Sequence, residues 1–208
     1  MIPMDAETRG LLRVALGVFD APEAVLEERM RIARAGGTPA VWLEELVLWS
    51  VTLVGYPRAL VAAGALRRVE PAPADAGEPP GGGDWARWLA EGEAMLGVVY
   101  GQHYERLRHN LRALHPALDA WMIADGGRAA CRPGLDLARR ELAAAALLIP
   151  QDAPRHLLSH LKGAINAGAG PEAVDSLVAL AAREGLPEAR LAVAGQLWRE
   201  LRNSLSHD

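Results

Sequence analysis

The chain of 208 residues contains one cysteine, Cys131. An intrachain disulfide is therefore excluded. A lone thiol is compatible with a reducing compartment, and the expected localisation is cytoplasmic. Phenylalanine also occurs once, against six tryptophans. β-Branched runs are few, so strands are not expected. No sign of charge dominates: the net charge is −4, with acids and bases interspersed. That balance gives no reason to expect nucleic acid or an anionic membrane as a partner. The opening MIPMDAETRG lacks a basic and then apolar leader, so no signal peptide is read. No apolar stretch reaches membrane-spanning length without a charge, glycine or proline breaking it. What the chain does have is alanine and leucine, within a composition that is 50% hydrophobic. Both are good helix formers, so an all-α fold with a sizeable core is expected.

Landmarks recur along the chain. Asp20-Ala21-Pro22 returns as Asp152-Ala153-Pro154, Gly36 and Pro39 as Gly168 and Pro171, and Gly55-Tyr56-Pro57 as Gly185-Leu186-Pro187. Each copy reads as helices separated by tight turns. Asp20 and Asp152 are expected to cap the helix that follows each of them. Gly36 and Gly168 suit the left-handed residue that ends a helix. Pro39 and Pro171 suit a first helical turn, where no N–H is needed. The expected organisation is a degenerate N-terminal repeat over 1–69 and a Pro/Gly-rich linker over 70–84. A helical arm over 85–130, read as two helices, and a second repeat over 131–208 complete it. The linker, EPAPADAGEPPGGGD, has the composition of a flexible tether.

The second repeat carries the candidate chemistry. Asp136–Ile149 and Ala153–Ala167 should form an antiparallel hairpin closed at Pro150-Gln151-Asp152. Glu141 lies nine residues before Pro150 and His160 nine after Gln151, so the two sit at the same height. A carboxylate that binds one ring nitrogen fixes the histidine tautomer and leaves the other nitrogen for proton transfer. His156 lies one turn before His160 on the same face. Gly163 and Ala167 continue that face with small residues, which should leave room for a ligand. A zinc or iron site built on His156, His160 and Glu141 is an alternative, weakly supported by spacing alone. The first copy places Gly10, Ala24 and Glu28 where the second has Glu141, His156 and His160, so it lacks the site.

Cys131-Arg132-Pro133-Gly134-Leu135, Arg140-Glu141-Leu142, His160-Leu161-Lys162-Gly163-Ala164 and Gly185-Leu186-Pro187 occur in an order and spacing that resemble the carboxymuconolactone decarboxylase family, relatives of the AhpD alkylhydroperoxidases. The resemblance covers about 92–200 as a full unit. It implies an AhpD-like helical fold with two repeated units in this chain, and a homotrimer by analogy with the family's rings. It also implies a small-molecule enzyme that acts on a carboxylated or lactone substrate. His160 would be the general acid/base, Glu141 its partner, and Arg132 and Arg140 contacts to the substrate anion. His156 stands where the decarboxylases carry glutamate, which leaves the substrate open. The peroxidase branch would need cysteines at positions 153 and 156, which here are Ala153 and His156. Peroxidase activity is accordingly disfavoured. A non-catalytic ligand-binding or structural relative is the third reading. No cofactor and no resident metal are expected.

Overall fold

The computed structural model describes residues 2, 4–73 and 84–205. Most of the expected linker, and the last three residues, lie outside the described residues. Ten α-helices run in order among the described residues: α1 Ala6–Val18, α2 Glu23–Ala35, α3 Ala40–Val69, α4 Trp85–Tyr100, α5 Tyr104–Leu114, α6 Pro116–Asp125, α7 Leu137–Leu148, α8 Pro154–Asn166, α9 Pro171–Arg183 and α10 Glu188–Leu205. The described residues form no sheet; an isolated bridge pairs Ile2 with Ala169.

Helix α7 is the axis of the core. Asp136 starts it by accepting from the Arg139 amide at 3.0 Å, which satisfies one of the otherwise orphaned first-turn N–H groups. Its run Leu142–Leu147 has no exposed surface at any position. A helix that is apolar on every side has to be buried on every side. The four consecutive alanines Ala143–Ala146 give neighbouring backbones room to approach, and α1, α3, α8 and α9 all pack on this helix.

The turns after α2 and α8 are closed by matching backbone hydrogen bonds. Gly36, Gly37 and Thr38 donate to Ile32, Arg34 and Ala33, as Ala167, Gly168 and Ala169 donate to Gly163, Ile165 and Ala164. The left-handed residues are Gly37 (φ 94°) and Gly168 (φ 98°). Gly36, expected to be left-handed, has φ −80° and is still part of the helix end. The expected caps also differ. Pro22 and Ala153 occupy the N-cap positions of α2 and α8 without a side-chain bond, and Asp152 instead pairs with Arg190.

Gly55 (φ 74°, ψ 167°) breaks α3 into two pieces at a kink, as Gly185 (φ 73°) separates α9 from α10. Residues of α3 would satisfy the length and hydropathy of a membrane span, but Leu43, Leu46, Ala62 and Ala65 lie fully buried in the core. The arm contains three helices rather than two, because the chain breaks both at Gly101 and at His115. Gly101 takes φ 50°. His115 caps α6 by accepting from the Ala117 amide through Nδ1, with Pro116 in the first turn. Helix α6 ends in a π-helical turn, Gly126–Ala130. It crosses α4 so closely that a Cβ on Gly92 would lie 1.9 Å from the Ile123 carbonyl oxygen.

Candidate active site

Glu141 and His160, at the same height in the hairpin, both face inward and meet. Oε2 of Glu141 lies 2.8 Å from Nδ1 of His160. A carboxylate only accepts, so Nδ1 carries the proton and donates it. That tautomer leaves the lone pair of Nε2 available. Glu141 is 1% exposed, whereas the His160 side chain is 12% exposed. The pair therefore has a buried anchor and an accessible end.

The space for this carboxylate comes from Gly163. A Cβ at that position would lie 2.3 Å from Glu141 Oε2 and 2.8 Å from Val99 Cγ1. The small residue expected to leave room for a ligand instead admits the Glu141 carboxylate. The ligand space lies on another side of the imidazole. His160 and His156 line a cleft of about 380 Å³ walled by Trp49, Thr52 and Leu53 of α3, Leu96 and Tyr100 of α4, and Leu118 and Trp121 of α6. Asp125 and Gly126 also line it. The N-terminal segment, expected to be only structural, thus supplies part of the cleft wall.

Nothing in the sequence singles out Tyr100, which lies in the helical arm. Burial first, and then the Glu141 charge, push its phenol up to about 12. It is therefore a neutral hydroxyl beside the imidazole at ordinary pH. Trp49 is 6% exposed, and its indole nitrogen is buried without a partner.

Arg132 and Arg140 do not line the cleft. Both bind Glu45 of α3, with Arg132 Nε 3.1 Å from Oε1 and Arg140 Nη2 2.8 Å from Oε2. Arg140 also donates to the carbonyls of Leu135 and Arg132. It is wholly buried, and burial lowers its pKa despite the compensating carboxylate. The anion these two arginines hold is the chain's own. Glu45 escaped notice because nothing in the sequence links α3 to the turn at residues 132–135; only the packing of α3 on α7 does. Arg155 and Lys162 also lie outside the cleft lining.

Cys131 donates weakly to the Glu91 carbonyl at 3.5 Å. Burial, and then the Glu91 charge, raise its thiol above the ordinary range. A nucleophilic thiolate requires the opposite shift. Among the described residues no group of three His, Cys, Asp or Glu side chains is placed to hold a metal ion. His156, His160 and Glu141 therefore do not converge as a ligand set.

Residues 116–195 match the carboxymuconolactone decarboxylase family. The matched stretch runs from α6 into α10 and contains Glu141, His156 and His160. Comparison with curated proteins gives no match.

Proposed function

We propose that the protein is a small-molecule enzyme related to the carboxymuconolactone decarboxylase family that moves a proton at carbon, with His160 as general acid/base. The observation that carries this reading is the 2.8 Å contact between Glu141 and His160, with the imidazole opening into a cleft of about 380 Å³. The family match of residues 116–195 supports it. Glu141 holds the proton on Nδ1, and Nε2 takes a proton from carbon beside a carbonyl and returns it. When proton transfer makes imidazolium, the buried carboxylate stabilises that charge. His156, on the same wall, is a second imidazole within the cleft. A lactone or a related carbonyl compound is the substrate class.

The chain also reads as a duplicated helical unit, supported by the matching turn bonds after α2 and α8. In this reading the first unit has glycine at position 10 in place of the glutamate and contributes packing and cleft wall.

The test is exchange of the α-hydrogen of an enolisable lactone in deuterated water, followed by NMR. His160→Gln should lower the rate at least about a hundredfold, as expected for loss of a general base, while leaving the helical circular dichroism unchanged. Glu141→Gln should lower it less and shift the pH profile. Full activity in His160→Gln would refute the assignment.

A further inference from the structure

We infer that the cleft selects a neutral substrate and rejects a carboxylated one; this rests on the proposed use of the His160 cleft. Among the described residues lining it there is no lysine or arginine. Its carboxylate, Asp125, already pairs at 2.8 Å with Arg128. The arginines that could have held a substrate anion, Arg132 and Arg140, are both bound to Glu45 and lie outside the cleft lining. Glu141 is a further buried negative charge directly behind the imidazole.

An anion brought into this space would lose hydration and gain no permanent positive partner. Desolvated charge without a partner is strongly disfavoured. Apolar side chains dominate the wall: Trp49, Leu53, Leu96, Leu118 and Trp121. Such a wall favours a flat, uncharged body. The polar groups that remain on it, His160, His156 and the neutral hydroxyl of Tyr100, suit a carbonyl or lactone oxygen. The substrate class is thus an uncharged cyclic carbonyl compound of modest size, and the carboxylated members of the lactone class are excluded by electrostatics rather than by shape.

The experiment compares two isosteric probes, benzamide and benzoate, by titration calorimetry at pH 8. Chemical shifts of the His160 imidazole report whether each enters the cleft. Benzamide should bind at least about tenfold more tightly, the minimum expected for burying an uncompensated charge. Leu118→Arg, a change at a lining position that is 40% exposed, should narrow or invert that ratio; Thr52→Arg provides a second cation from α3. Equal or tighter binding of benzoate to the unaltered protein overturns the inference. So does an unchanged ratio in both arginine variants, or failure of either probe to perturb His160. The preference should persist in His160→Gln. A wrong catalytic assignment would appear as exchange activity that survives that variant, with the binding ratio intact, so the two failures are separable.

Discussion

Gly163→Ala places a methyl group where the protein has put a carboxylate. The added Cβ would sit 2.3 Å from Glu141 Oε2 and 2.8 Å from Val99 Cγ1. Neither neighbour can yield easily. Glu141 is 1% exposed and Val99 2% exposed. To relieve the clash Glu141 must swing away from His160 and lose its 2.8 Å contact. A hydrogen bond to a charged group is worth about 1.5–3 kcal/mol, and overpacking a core costs about 1–3 kcal/mol. The gain in helix propensity from glycine to alanine, about 1 kcal/mol, acts in the other direction. The net expectation is destabilisation of about 2–4 kcal/mol, measured by urea unfolding. A double-mutant cycle with Glu141→Ala isolates the cause. Once the carboxylate is removed, the penalty of Gly163→Ala should fall by at least about 1 kcal/mol, as for residues in direct contact. Proton-transfer activity should fall with Gly163→Ala even where the protein remains folded. If Gly163→Ala is as stable as the parent or more so, the close approach assigned to Gly163 is wrong.

Glu45→Ala should destabilise by about 3–5 kcal/mol in denaturant, because it leaves the fully buried Arg140 without its carboxylate. A loss below about 1 kcal/mol would mean that water or a rearranged side chain replaces Glu45 readily. Tyr100, whose phenol is pushed up to about 12 by burial, should ionise late in an ultraviolet titration, and Tyr100→Phe should remove that late step. Because the folded value exceeds the unfolded one of about 10, Tyr100 contributes stability that is present below about pH 10 and lost as pH rises towards 12. An ordinary phenol titration would refute its burial beside Glu141.

The parts of this protein that depend on local chemistry were readable in the chain. Scarce cysteine and abundant alanine and leucine point to helices, and the described residues are helical throughout their regular structure. Pro150 and the residues around it define the hairpin, and equal spacing from that turn sets Glu141 and His160 at the same height, where they meet because both side chains face inward. Helical geometry makes height along a hairpin a linear function of residue number, so the equal height of the two residues can be deduced without coordinates. Turn details were less secure by one residue. Gly36 and Gly37 are adjacent, and only the closing hydrogen bonds show that Gly37 takes the left-handed conformation.

Tertiary packing alone decided the rest. The sequence presents Arg132 and Arg140 as free cations near the candidate site, but α3 delivers Glu45 to both across 87 and 95 residues of chain. Gly163 reads as open space until Glu141 is seen filling it. The cleft itself combines Trp49, Tyr100, Trp121 and His160 from four helices. Spacing within one helix or across one turn follows from backbone geometry. Which side chains meet across four helices, and hence which charges are left to face a substrate, depends on the helices' mutual placement, and that is set by the burial of whole apolar faces rather than by any local motif.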